Sequence, residues 1–254
     1  MKLTILGSGT SVPHPKRATP AHWLETSKGT VLLDVGADAP HRMAQENLDW
    51  PNLDAIWVSH FHLDHLGGLT PFLFGLKWAP QTQDRIRPLR IFGPGGLRAI
   101  IDAVNESNDY RLFEQRFAIE VVEVSPESEF EILPGITANT FSTPHTEESL
   151  ALALKEDGSQ LFVYTSDTGF SDDLASFAKD AALLLMECSF RRNKAVQKHL
   201  ELPDAMRVAH DSAAEKVVLT HLYPEWDDVD LVSEARALWP GETIEAKDGL
   251  KVEA

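Results

Sequence analysis

One cysteine, Cys188, stands in a chain of 254 residues, which excludes an intrachain disulfide and any structural zinc site built on thiolates. No apolar run approaches the ~20 residues that cross a bilayer. The opening "MKLTILGSGTSVP" has too short an apolar stretch before its glycines for a secretory leader; it reads as a first β-strand and turn. The cytoplasm is therefore the expected compartment, and no membrane partner is expected. Positive charge is scarce too. The chain has 23 Lys and Arg against 39 Asp and Glu, a formal net charge of −16, which argues against broad, non-specific binding to nucleic-acid backbone. Low-complexity tracts, fixed-period repeats and linkers are missing. With 43% apolar and 24% charged residues, residues 1–254 are expected to form one domain around an ordinary core.

Short apolar runs recur, punctuated by Gly, Pro, Asp or Ser: "KLTILG", "GTVLLDVG", "AIWVSH", "LRIFGP", "AIEVVEV", "ITANTFST", "SLALALK", "LFVYTSD", "ALLLMECS", "KVVLTHL" and "IEAKDGLKVE". These predict strands. Helices are predicted over "APHRMAQENL", "LTPFLFGLKWA", "GLRAIIDAVNES" and "LPDAMRVAHDSAA", and through "SDDLASFAKD" with Ser171 as N-cap. Strands in hairpin-like succession with a few interspersed helices suggest two sheets with helices outside. Two stretches are locally basic: Arg85, Arg87, Arg90 and Arg98, then Arg191, Arg192, Lys194 and Lys198. Solvated surface is the plain expectation for both, and phosphate capture the sharper one. Trp78, Trp226 and Trp239 are expected either as an exposed homodimer surface or as core.

The chemistry concentrates in "SHFHLDHLGG", where His60, His62, Asp64 and His65 follow an apolar strand. His60 and His62, two residues apart in extended chain, can point the same way. The turn at Asp64 and His65 swings a second pair towards a neighbouring point, so one loop can serve two adjacent metals. Imidazole and carboxylate without thiolate suit zinc, with manganese or iron as alternatives. Three further polar residues end apolar strands: His145 after "TANTFSTP", Asp167 after "LFVYTS" and His221 after "KVVLT". Strand ends along one edge of a sandwich converge, so these can meet the first loop and complete a two-metal site.

These motifs together, "HFHLDH", His145, Asp167 in "SDT" and His221 in "LTHLYP", resemble the metallo-β-lactamase superfamily across nearly the whole chain. The resemblance implies a four-layered αββα sandwich, an α/β fold with two zinc ions. His60, His62 and His145 would hold one ion, Asp64, His65 and His221 the other, and Asp167 would bridge them. Asp34 in "VLLDVG" would orient the metal loop. The implied activity is hydrolysis by a metal-bridged hydroxide.

Within the superfamily, "STPHTEESLALAL" lacks the glycine that lactamase- and glyoxalase-like members carry before the third histidine. It resembles the ribonuclease Z and small phosphodiesterase branch, as do "LGSGTSVPHPKR", "IFGPGGL" and "YTSDTGF". "MECSF" stands where ribonuclease Z has a His-Glu-Ala-Thr signature, with Met186 in place of its histidine, so the acid/base group that histidine provides is expected to be missing. Only 21 residues separate His145 from Asp167, too few for the long arm with which ribonuclease Z grips tRNA. A small or cyclic phosphodiester is therefore the expected substrate, and tRNA is not. The cyclic-ribose phosphodiesterases are a closer likeness, although one cysteine cannot build their structural zinc site. A tRNA 3′ endonuclease, a lactone or thioester hydrolase and a non-catalytic binding protein are the alternatives.

Asp64, at the metals, and His199, matching a histidine that serves related phosphodiesterases as general acid, are the expected catalytic residues. Glu187 and Ser189 are candidate pocket residues, and Thr10 and Ser8 candidate donors to substrate. His14, His22, His41 and His210 are expected at the surface or in packing.

Overall fold

The computed structural model describes residues 1–253. The first half of the chain lays down β1 (Lys2–Gly7), β2 (Ala21–Thr26), β3 (Gly29–Leu33), β4 (Ala55–Trp57), β5 (Leu89–Pro94) and β6 (Ile119–Val124). The second half supplies β7 (Glu129–Leu133), β8 (Ile136–Ser142), β9 (Leu150–Glu156), β10 (Ser159–Tyr164), β11 (Leu183–Glu187), β12 (Lys216–Thr220) and β13 (Glu242–Glu245). A last strand, β14 (Lys251–Glu253), returns to the first half. Two seven-stranded sheets result, ordered β14-β1-β2-β3-β4-β5-β6 and β13-β12-β11-β10-β9-β8-β7.

Strand alternation sorts the apolar residues into three layers. Leu3, Ile5, Leu24, Val31 and Leu33 of the first sheet meet Leu152, Leu154, Phe162, Leu183 and Leu185 of the second, and this is the inter-sheet core. The opposite face of the first sheet, with Trp23, Leu32, Ile56 and Ile91, is covered by α1 (Ala39–Gln45), α3 (Leu69–Trp78) and α4 (Leu97–Ser107). The outer face of the second, with Val163, Leu184, Met186 and Val217, is covered by α5 (Asp172–Phe177), α6 (Leu202–Ser212) and α7 (Leu231–Leu238). The expected αββα order is what forms, and each fully buried Leu or Phe contributes about 1.5–3 kcal/mol. The Ser171 N-cap is present, its hydroxyl accepting from the Asp173 amide.

Some expectations need correction. "IEAKDGLKVE" is not one strand: Gly249, at φ +86°, turns the chain, so β13 pairs with β12 while β14 pairs with β1 in the other sheet. β2, β7 and α7 were not foreseen. Of the two alternatives for the tryptophans, Trp226 and Trp239 take the core: Trp226 is buried, its indole N–H donating to the Cys188 carbonyl, and Trp239 is 9% exposed in the outer core. Only Trp78, at 66% exposure, fits the surface expectation. Arg85 does not await phosphate either; it is buried and donates to the carbonyls of Pro51, Leu53, Arg87 and Pro88.

β2 carries His22, which is wholly buried, edge-on to Tyr164, and has no hydrogen-bond partner for either ring nitrogen among the described residues. Burial, then repulsion from His65 and His221, lowers its pKa from 6.5 to about 3. The unfolded chain takes up this proton near the ordinary histidine value, and the folded protein does not until far lower pH. Stability from this group is therefore complete above the unfolded value and drains away as pH falls towards the folded one, at about 1.4 kcal/mol per pH unit. Unfolding in urea at pH 7 and pH 5 should show His22→Leu gaining on the wild type by about 2 kcal/mol between the two; an unchanged gap would contradict this.

Candidate metal centre

The site gathers where strands of both sheets end. The chain leaves β3 at Asp34, β4 at Ser59 and His60, β10 at Ser166 and Asp167, and β12 at His221. Asp34, Ser166 and His221 all take left-handed backbone, with φ of 57°, 56° and 58°. That conformation is unfavourable for residues with a Cβ, and here it ends each strand sharply beside the centre. α2 (Leu63–Leu66) presents Asp64 and His65.

All seven expected ligands come together. Asp167 Oδ2 lies 3.3 Å from both His65 Nε2 and His221 Nε2, 3.7 Å from His145 Nε2 and 3.9 Å from His60 Nε2. Asp64 Oδ2 is 3.5 Å from His221 Nε2 and 3.8 Å from His65 Nε2. His62 Nδ1 lies 3.0 Å from His145 Nε2. The ligand atoms of His60, His62, His145 and Asp167 fall within 4.8 Å of one another, as do those of Asp64, His65 and His221. Burial opposes the Asp167 charge, but His221 and His65 hold its carboxyl well below the usual range.

The histidine tautomers test whether a metal fits. His65 Nδ1 donates to Asp34 Oδ2 at 2.7 Å, and His145 Nδ1 to the Lys198 carbonyl at 2.9 Å. Ser59 Oγ gives its proton to Asp34 Oδ2 and so accepts from His60 Nδ1 at 3.0 Å. Ser189 Oγ likewise donates to Glu187 and accepts from His221 Nδ1 at 2.9 Å. Each ring therefore turns a lone pair on Nε2 inward. The Nε2 atoms of His60, His65 and His221 are buried without a hydrogen-bond partner among the described residues. Buried nitrogens left bare are costly, and histidines that bind metal are held by their other nitrogen in this way. The donor set fits metal ions.

Asp34 lies under the metal loop. It accepts from His65, from Ser59 N and Oγ, and from the Tyr164 hydroxyl at 2.7 Å, tying both halves of the metal loop to the second sheet. Glu187 is a second anchor. Its Oε1 accepts from Thr168 N and His199 Nδ1, and its Oε2 from Ser189 Oγ, Ser189 N and Leu200 N. His199, its Nδ1 proton on Glu187, can offer only Nε2 to a ligand. Burial lowers the His199 pKa, but Glu187 more than compensates and the net shift is upward. His199, Asp167 and His221 also lie within 4.8 Å of one another at their ligand atoms, so His199 borders the centre.

Met186 gives a correction. Alternation along β11 puts it in the outer core among helices, while Glu187 faces the centre. A histidine at 186 would point away from the centre, so its replacement removes no acid or base from the site. Thr10 and Ser8 are not seen in contact with the ligands: Thr10 Oγ1 accepts from Val12 N, and Ser8 binds Asp248. Tyr164 and Tyr223 were missed. Tyr164 sits in an inward slot of "LFVYTSD", where a phenol needs a buried partner, and that was a legible signal.

With the geometry in hand, the likenesses become informative. Residues 1–238 match the family described as Anti-Pycsar protein Apyc1. YhfI of Bacillus subtilis, described as a probable metallo-hydrolase, is 26% identical over 251 residues, covering 98% of both chains. Its crystal structure superposes with a TM-score of 0.81 at 24% identity, over 100% of this chain and 99% of that one. Ribonuclease Z of Thermoplasma volcanium is 25% identical, over 93% of this chain and 92% of its own. The short form of human tRNase Z shares the fold with a TM-score of 0.82 at 22% identity, over 100% and 99% of the two chains. A diphosphatase of the PhnP family does so with 0.75 at 20%, over 100% and 97%. The chain belongs to the Anti-Pycsar protein Apyc1 family, and it is a metal-binding hydrolase of the metallo-β-lactamase fold.

Proposed function

We propose that this protein is a dinuclear zinc phosphodiesterase whose substrate is a small or cyclic phosphodiester, such as a cyclic nucleotide. The observation that carries the reading is the pair of ligand sets meeting at Asp167, with the Glu187–His199 pair at their border. His60, His62 and His145 would hold one ion and Asp64, His65 and His221 the other, with Asp167 between. Two zinc ions so held would supply Lewis acidity towards a phosphoryl group and acidify a water towards neutral pH. The chain's own residues do the rest. Asp34, Ser59, Ser189 and the Lys198 carbonyl fix the imidazole rings before substrate arrives, so little reorganisation is needed during reaction. His199 Nε2, protonated, donates to the leaving alkoxide as the phosphorus–oxygen bond breaks, and Glu187 stabilises the imidazolium beforehand.

The span between His145 and Asp167 supports a small substrate. It holds only β9, the turn at Asp157 and Gly158, and β10, with no room for an arm that grips a folded RNA. Relatives named ribonuclease Z favour a second reading, tRNA 3′ processing. Metal-loaded protein should turn over bis(p-nitrophenyl) phosphate, and His62→Ala should not. No turnover at full metal loading would remove the phosphodiesterase reading.

A further inference from the structure

Tyr223, two residues past His221, has no part in the arrangement described so far. Its ring stacks on Phe190, with 4.8 Å between centroids and 24° between planes. It stands edge-on to His221 at 6.2 Å and to His199 at 6.4 Å. Both flanks of the ring are fixed. Phe190 N donates to the Leu200 carbonyl and Phe190 O accepts from Leu202 N, which binds it to the chain just past His199. On the other side Pro224 opens a single helical turn, closed by Trp226 N donating to Tyr223 O. Yet Tyr223 is only partly buried, and its hydroxyl has no hydrogen-bond partner among the described residues.

The neighbourhood says what that hydroxyl suits. The side chains around the centre are carboxylates and histidines, and the Nδ1 donors of His60, His65, His145, His199 and His221 are already engaged by protein. A phosphodiester anion arriving there finds His199 Nε2 for the leaving group and few neutral donors for its other oxygens. A phenol held rigid beside both a metal ligand and the proton donor meets that need without adding charge.

We propose that Tyr223 is a substrate contact, its hydroxyl donating a hydrogen bond to a phosphoryl oxygen that takes no part in bond breaking. This rests on the phosphodiesterase reading and adds to it a residue for the substrate's anionic centre. The bond strengthens as charge builds on that oxygen, so it acts mainly on turnover.

Tyr223→Phe keeps the ring on Phe190 and removes only the oxygen. With bis(p-nitrophenyl) phosphate, kcat should fall by about 10- to 100-fold with KM within about twofold. Metal content, melting temperature and the shape of the pH profile should match the wild type, because His199 is untouched. Activity within twofold of wild type would overturn the contact. A loss of activity that tracks lost metal or a lowered melting temperature would overturn it too, by assigning the ring to packing. A wild type silent on phosphodiesters at full metal loading would instead sink the phosphodiesterase reading, and the contact with it.

Discussion

Asp167→Asn should lower turnover by on the order of 10³-fold or more and weaken metal retention with it. The substitution is nearly isosteric, so the fold has no reason to change, and what it removes is the anion that both ligand sets share. Asp167 Oδ2 stands 3.3 Å from the nearest nitrogen of two histidines and within 4 Å of two more. It is also almost entirely buried. A neutral amide there can turn its NH₂ towards nitrogens that must offer lone pairs to a metal, replacing attraction by a clash of donor and ion. Metal per chain after dialysis, read beside kcat, checks this. Wild-type metal content with less than a tenfold loss of activity would show that Asp167 is not shared between two ions.

The second large effect is expected at Glu187. Its carboxylate accepts five hydrogen bonds from three segments: the one that carries Asp167, the one that carries His199, and its own strand end. Glu187→Gln must turn an NH₂ towards at least one backbone N–H, of Thr168 on one side or of Ser189 and Leu200 on the other, that cannot accept from it. Each donor left unmatched costs about 1–3 kcal/mol, and His199 loses the anion that fixes its Nδ1 proton and supports its charge. Turnover should fall by about 10²- to 10⁴-fold, the range for a lost general acid. His199→Ala should fall as far, and the double variant no further, because the two act as one unit. His199→Ala should also keep its metal. Additive losses in the double variant would show that Glu187 acts through something other than His199.

How much of this was written in the sequence depends on the kind of residue. The seven candidate ligands were legible because they group at the ends of apolar runs, where a buried ionisable residue needs a reason. The layers were legible because short apolar runs, punctuated by Gly, Pro, Asp or Ser, follow one another in hairpin-like succession with helical stretches between some of them. β13 and β14 were not, since "IEAKDGLKVE" has one composition and only the left-handed Gly249 sends its ends to different sheets. Trp226 and Trp239 stay undecided in the sequence because a tryptophan among acidic residues fits surface or core, and here helix packing covers both. Glu187 could be named but not understood. Three of its five donors are backbone amides, which sequence does not display. Tyr223 left no trace, because its placement depends on Phe190, 33 positions earlier in the chain.

The central claim, a phosphodiesterase of small substrates, is tested most directly by one comparison on metal-quantified protein. It sets kcat/KM for a cyclic mononucleotide and bis(p-nitrophenyl) phosphate against a phosphomonoester, a lactone, a thioester and a tRNA precursor. The expected result is turnover of the two diesters at least about 100-fold above the monoester, lactone and thioester, with the tRNA precursor left whole. Fastest turnover of the lactone or thioester, or accurate removal of the tRNA 3′ trailer, would contradict it.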